Sequence, residues 1–290
     1  MPSVEAGRRW SPRGGGDGEG RYASSVQAPE DVARPGDGTG RNVAAAIRPQ
    51  VLVVMPAYNA ARTLEATYGA IPTNIVDDIL LVDDGSADAT VEIASSLPIR
   101  TISLPHNVGY GGNQKVCYLD AIRTHADVVV MLHPDGQYDP VLLPELIAPI
   151  LADEADMVLG SRMMTPGGAR AGGMPLYRYV SNRALTAIEN RALGRDFSEL
   201  HTGYRAYSRR FLLTIPFMRN SDGFVFDTQV IAQAVAFGLR VAEVPIHTRY
   251  HADASSTSMP ANISYGLGTL WTMARYRMHQ AGLRSRRFLP

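Results

Sequence analysis

At 290 residues with 45% apolar residues, the chain can build one large α/β domain or two small ones. Its 28 basic and 28 acidic residues cancel, so nothing in the overall charge selects nucleic acid as a partner. Cys117 stands alone, which excludes an intramolecular disulfide framework and suits a reducing compartment.

Residues 1–46 are rich in Gly, Pro, Arg and Asp and show no apolar period. They cannot bury enough surface to offset the entropy of ordering, so a disordered tail is expected. They carry no signal pattern, and no segment supplies the ~20 apolar residues of a spanning helix. Order is expected from Val51. The unbroken apolar run Val51 to Met55 marks a strand buried on both faces. Pro56-Ala57-Tyr58-Asn59 ends it, and Ala60 to Ile71 reads as a helix. Ile79 to Val82 is a second such strand, stopped by Asp83-Asp84-Gly85-Ser86. A helix capped by Ser86 or Asp88 follows. Ile99 to Leu104 is a third strand, and Gly109 to Ala126 a loop opening into a helix. Val128 to Leu132 is a fourth strand, Pro140 to Leu151 a helix, and Met157 to Leu159 a short fifth strand. This alternation predicts right-handed crossovers and a mostly parallel sheet flanked by helices.

Beyond Arg162 the alternation breaks. Thr165 to Gly173 is a Gly-rich loop and Leu176 to Leu193 a helix. Gly203 to Tyr207 and Val241 to Ile246 read as strands around a helix at Phe226 to Phe237. Asn262 to Leu283 reads as an amphipathic helix whose Ile263, Leu267, Leu270, Trp271, Ala274 and Met278 keep i, i+4, i+7, i+8 spacing. That stripe suits packing on the core. With Arg284, Arg286 and Arg287 following, it equally suits an interfacial anchor.

In an open parallel sheet, ligands sit beyond the carboxyl ends of the strands. Polar clusters leave at the ends of strands one, two and four: Tyr58-Asn59, Asp83-Asp84 and His133-Pro134-Asp135-Gly136-Gln137. Strand five leaves into Gly160-Ser161-Arg162. A lone Asp at a strand end is commonly a helix cap. Four coincident exits point instead to one ligand edge.

The blocks Val53 to Asn59, Leu81 to Ser86 and Gly160-Ser161-Arg162 resemble the family-2 glycosyltransferases of the GT-A fold. The branch they are most similar to holds the dolichol-phosphate mannose synthases and bacterial polyprenyl-phosphate glycosyltransferases. The resemblance covers roughly residues 50–250. It implies a GT-A domain over residues 47–250, with a nucleotide-sugar-binding half at 47–162 and an acceptor-side half at 163–250. The C-terminal helix and basic tail fill 251–290. It also implies that Pro56, Ala57, Tyr58, Asp83 and Asp84 line the nucleoside site, where a carboxylate can accept from a base N–H or a ribose hydroxyl.

The resemblance aligns Asp135 with the second Asp of the family's Asp-X-Asp metal motif, and Gln137 with a Gln that often follows. His133 stands where the first Asp would be. The implied cofactor is a divalent cation, Mg²⁺ or Mn²⁺. An imidazole ligand at His133 favours the softer Mn²⁺; alternatively His133 is a loop residue and Asp135 alone holds the ion. Asn107 to Lys115 resembles the family's Asn-X-Gly-X-Gly stretch. There glycines such as Gly109 let backbone approach a ligand. Lys115 either meets the diphosphate or is a solvated helix residue. Arg178 to Arg183 resembles the segment that contacts a lipid phosphate, and His201 to Arg205 the family's Ser/Cys-Gly-Phe-Arg block. Arg162, Arg178, Asn182 and Arg205 are therefore expected around an acceptor phosphate. Asp227 is either a catalytic base or a first-turn Asp of its helix. One departure is plain: relatives carry Asn-Glu after the strand-one Tyr, whereas Ala60 follows Asn59.

The implied reaction moves a sugar from a GDP- or UDP-linked donor, with inversion, most naturally to a polyprenyl phosphate. Asp135 and Arg162 serve the leaving diphosphate. Two rivals remain: a soluble transferase acting on a small metabolite, and a nucleotide-sugar binder of little catalytic power. The expected setting is cytoplasmic, with a peripheral membrane contact if the acceptor is a lipid.

Overall fold

The computed structural model describes residues 48–248 and 259–289. The tail expected over 1–46 and the boundary at 249–258 lie outside the described residues. Seven strands form one sheet in the order β3-β2-β1-β4-β6-β5-β7. These are β1 (Val51–Ala57), β2 (Asp78–Asp83), β3 (Arg100–Ser103), β4 (Val128–Met131), β5 (Met157–Ser161), β6 (Arg205–Ser208) and β7 (Val241–Pro245). Every pairing is parallel except those of β6, which runs antiparallel between β4 and β5.

The apolar runs form strands because both faces of the sheet are covered. Leu52, Val54, Leu80, Val82, Val129 and Met131 point into one buried layer, with Cys117 and Tyr118 of α3 (Tyr110–Arg123) and Phe226 and Val230 of α8 (Phe226–Ala236). Val51, Val53, Met55, Leu81 and Val130 point into the other. There they meet Leu64 of α1 (Leu64–Gly69) and Leu143, Leu146 and Ile147 of α4 (Leu143–Leu151). Period-two alternation delivers neighbouring residues to opposite layers. Each fully buried aliphatic side chain contributes roughly 1.5–3 kcal/mol.

Some boundaries differ from expectation for local reasons. The helix expected from Ala60 starts at Leu64, because the Ala60 N–H is held by Thr90 Oγ1 at 2.8 Å and Ala60–Thr63 forms a turn. α2 (Thr90–Ser96) has Ala89 at its N-cap with no side-chain cap, so neither Ser86 nor Asp88 holds that position; Asp88, one residue earlier, accepts Thr90 N–H at 3.1 Å. Ser86 instead accepts the Asn59 N–H at 2.8 Å. The helix expected from Pro140 begins as a 3-10 turn, Pro140–Leu142, before α4. The Gly-rich loop after Arg162 contains one short helix, α5 (Gly168–Ala171). Then come α6 (Leu176–Leu193), α7 (Arg209–Thr214) and, at the end, α9 (Met259–Gln280).

Residues on either side of 162 build the same sheet. β6 of the second half inserts between β4 and β5 of the first, so both halves share one sheet. α9 packs on α6 and α8 and belongs to the same compact unit.

Candidate active site

Parallel strands bring the ends of β1, β2, β4 and β5 to one edge of the sheet, and the antiparallel β6 brings its first residue there too. Met131 pairs with Arg205 in register, which places Arg205 beside the exit of β4. Sequence position alone gives no hint of this, since a parallel β6 would have sent Arg205 to the opposite edge.

At the exits of β1 and β2, Tyr58 is exposed while Pro56, Ala57, Asp83 and Asp84 are buried. Asp83 Oδ2 accepts Ser86 N–H at 3.1 Å, and its Oδ1 is buried with no partner. A buried, unsatisfied carboxylate oxygen costs free energy unless a ligand or water donates to it. Asp84 is differently employed. It accepts Val108 N–H at 2.7 Å and Gly109 N–H at 3.1 Å, and burial pushes its carboxyl above the ordinary range. Asn59, in the left-handed region at φ 52°, ties the two exits together through Ser86 and Ala87.

The glycines after Asn107 serve protein packing. A Cβ on Gly111 would lie 2.4 Å from the Ser221 carbonyl oxygen, and one on Gly109 2.6 Å from that of Asp222. The N–H groups of Gly111 and Gly112 donate to Asp222 O at 2.7 and 3.2 Å. The close approach that requires glycine is therefore made by the 221–223 segment, and the start of α3 is capped by a carbonyl. Lys115 is neither solvated nor free for a diphosphate. It is 7% exposed, with Nζ 2.6 Å from both Asn220 O and Asp222 Oδ1.

Beyond β4 lies a buried polar network. Tyr110 Oη donates to Asp227 Oδ2 at 2.8 Å, and its ring stacks on His133 with centroids 5.4 Å apart. Gln114 Nε2 donates to Asp227 Oδ1 at 3.1 Å, and Arg205 Nη1 lies 2.8 Å from the same oxygen. Tyr110 has a single hydroxyl proton, and Asp227 receives it. The 3.2 Å contact between Tyr110 Oη and His133 Nε2 then requires the imidazole proton on Nε2. Burial holds His133 below its ordinary pKa of 6.5, so the ring is neutral near pH 7 with its lone pair on Nδ1. Gly203 makes room for it, since a Cβ there would sit 2.9 Å from His133 Cδ2.

Asp135 accepts Gln137 N–H at 3.0 Å, and burial raises its carboxyl above the ordinary range. Among the described residues it makes no ion pair with Lys or Arg, and no cluster of three or more His, Cys, Asp and Glu could cage a metal. One uncompensated carboxylate beside one neutral imidazole fits an ion whose remaining ligands arrive with a diphosphate. Gln137, whose backbone N–H that carboxylate accepts, follows on the same turn.

Arg162 is 7% exposed and bound to Glu199, which accepts its backbone N–H at 2.7 Å and grips the guanidinium from Nε and Nη2; Nη2 also donates to His201 O at 2.6 Å. Asn182 Nδ2 donates to Glu199 Oε1 at 2.7 Å. Burial alone would raise the Glu199 carboxyl, but the charge and hydrogen bonds of Arg162, with Asn182, hold it below its ordinary value of 4.5. Arg178 is on α6, its Nε donating to Tyr177 Oη at 3.1 Å. Arg162 has Glu199, Arg205 has Asp227, and Arg178 shares neither network. Asp227, which accepts from Tyr110 and Gln114 and is ion-paired with Arg205, is poorly placed to act as a base. The sequence had not singled out Glu199, Tyr110 or Gln114. The last two lie inside the glycine stretch already noted, whereas Glu199 sits in an unpatterned segment with no signal of its own.

The model for "Glycosyl transferase family 2" matches residues 52–215, more than half of the chain. The chain belongs to that family. It is 28% identical to an undecaprenyl-phosphate mannosyltransferase of Micrococcus luteus, covering 79% of this chain and 99% of that one. Against a polyprenol monophosphomannose synthase of Mycolicibacterium smegmatis it is 28% identical, over 83% of this chain and 91% of the other. Among solved structures, glucosyl-3-phosphoglycerate synthase of Mycobacterium tuberculosis superposes with a TM-score of 0.62 at 22% identity, covering 88% of each chain. That protein was crystallised with Mn²⁺, UDP-glucose and glycerol 3-phosphate. At this identity the likeness establishes the GT-A fold. The chain is a family-2 glycosyltransferase that takes a nucleotide-sugar donor.

Proposed function

We propose that this glycosyltransferase moves a hexose, with inversion, from a GDP- or UDP-linked donor to a polyprenyl phosphate. The observation that carries the acceptor assignment is the state of Asp227. A neutral hydroxyl acceptor needs a base. Asp227, the candidate for that role, has both oxygens taken by Tyr110, Gln114 and Arg205. A phosphate monoester needs none, because its second pKa near ~6 leaves it largely dianionic at neutral pH. The two polyprenyl-phosphate relatives matched over nearly their full length support the same reading.

In this scheme the unpartnered Asp83 Oδ1 receives a donor group of the nucleoside, and Tyr58, Pro56 and Ala57 form the wall beside it. Asp135, with His133 through Nδ1 and Gln137 beside them, would hold a divalent cation against the diphosphate. When bound, such an ion supplies charge stabilisation to the departing nucleoside diphosphate; Mn²⁺ accompanies the donor in the Mycobacterium tuberculosis structure. Arg162, held rigid by Glu199, would contribute its fixed positive charge to the same stabilisation, an electrostatic role set before reaction begins. We assign Arg178 of α6 to the acceptor phosphate, on the resemblance of residues 178–183 to the lipid-phosphate segment.

The test is a panel of GDP- and UDP-sugars, with and without a short polyprenyl phosphate, read by product mass. Transfer to the lipid phosphate, lost in Asp135→Ala and with an acceptor KM raised in Arg178→Ala, is expected. Efficient glycosylation of a neutral hydroxyl, with the lipid phosphate ignored and Arg178→Ala silent, would replace this reading with a small-molecule transferase.

A further inference from the structure

α9 is packed with its apolar stripe outward. Thr269, Thr272, Met273 and Tyr276 are buried against the rest of the domain. Ile263, Leu267 and Trp271 are 61%, 63% and 59% exposed, and Leu270 and Met278 share their side of the helix. A helix on a globular domain ordinarily turns such a stripe to the core. Here threonines face in while leucines and a tryptophan face out. α6, packed alongside, exposes Leu176, Tyr177, Val180 and Ile188. An apolar surface carried on two adjoining helices marks a contact site rather than scattered exposure.

Charge identifies what the surface meets. Residues 259–290 contain five arginines and no Asp or Glu. On α6, Arg183 and Arg191 are exposed, while Glu189, its single carboxylate, is 1% exposed. A second copy of the chain, meeting this face through a two-fold axis, would set positive charge against positive charge. Residues 1–46 hold six arginines and six acidic residues, so they bring no negative surplus to match it. Apolar stripes on two helices whose own exposed charges are arginines fit the headgroup boundary of an anionic bilayer. We propose that the outward faces of α6 and α9 together dock this enzyme on an anionic lipid surface. The inference stands apart from the identity of the acceptor. Its consequence for the site is that Asn182, which supports Glu199 beneath Arg162, belongs to the same helix that rests on the lipid.

Trp271 is one of two tryptophans, the other being Trp10, so full-length protein carrying Trp10→Phe makes Trp271 the reporter. With phosphatidylcholine vesicles containing phosphatidylglycerol, we expect cosedimentation and a blue shift of Trp271 emission. Both weaken with salt and are absent with phosphatidylcholine alone. Leu267→Asp, Ile263→Asp and the double variant Arg284→Glu/Arg286→Glu should each weaken binding roughly tenfold or more. Because all four positions are exposed, melting should be unchanged; a variant that does unfold is replaced by the others. Three results overturn the proposal. One is failure to bind the anionic vesicles. Another is undiminished binding by all folded variants. The third is a dimer in sedimentation velocity that Leu267→Asp dissociates, which assigns the face to a second copy.

Discussion

Asp227→Asn tests how the buried network is held together. Arg205 is 1% exposed, and Asp227 is its ion-pair partner at 2.8 Å. The pair is Coulombic in character, since none of the guanidinium nitrogens meets a well-aligned hydrogen-bond acceptor. The Asn side chain keeps the shape and still accepts from Tyr110 or Gln114, but it leaves Arg205 with an uncompensated buried charge. Breaking a buried pair in this way costs about 3–5 kcal/mol. For a domain of this size each 1 kcal/mol moves Tm by roughly 2–4 °C, so a fall of roughly 6–20 °C is expected. Arg205→Met/Asp227→Asn removes both charges and should recover most of that loss, which gives a clear coupling energy in the double-mutant cycle. Thermal unfolding by circular dichroism, with transfer rates measured on the same samples, decides the matter. If Asp227→Asn melts like the parent while kcat collapses by roughly 10²–10⁴-fold, the usual worth of a general base, Asp227 is catalytic and the reasoning is wrong.

Three further outcomes follow from the same geometry. Asp83→Asn should raise the donor KM by the equivalent of roughly 1–3 kcal/mol with little change in Tm. Asp84→Asn should instead lower Tm, because the amide keeps only one of the two oxygens that Val108 and Gly109 N–H donate to and sets an NH2 group against the other; the opposite assignment in donor titrations would exchange their roles. Glu199 has its carboxyl depressed in the folded state, so the stability it contributes is complete above its ordinary value of 4.5 and drains as pH falls through the folded value. The gap in unfolding free energy between parent and Glu199→Gln should therefore narrow on acidification below about 4.5; a gap independent of pH would contradict it. Gly111→Ala should destabilise the fold by more than Gly266→Ala, because its Cβ would meet Ser221 O at 2.4 Å whereas a Cβ on Gly266 meets nothing within 4 Å; equal melting temperatures would count against that packing.

By itself, the sequence determined the strands and the edge where the site lies. The runs at Val51, Ile79 and Val128 are apolar at every position because both faces of those strands are buried, and such a run is readable without knowing its neighbours. Their polar exits at Asp83-Asp84 and Asp135 were readable too, because carboxylates interrupt an apolar run, although β2 itself runs on through Asp83. What only the tertiary structure decided was which charges meet. Arg205 reaches the edge because β6 runs antiparallel, and Arg162 is held by Glu199 from 37 residues away. The glycines at 109 and 111 make room for a loop more than a hundred residues further along the chain. The stripe on α9 shows the limit most plainly. Helical spacing fixes that Ile263, Leu267, Leu270 and Trp271 share a side, but whether that side faces in or out is set by what packs against the helix. Thr269, Thr272, Met273 and Tyr276 occupy that contact, so the stripe faces outward.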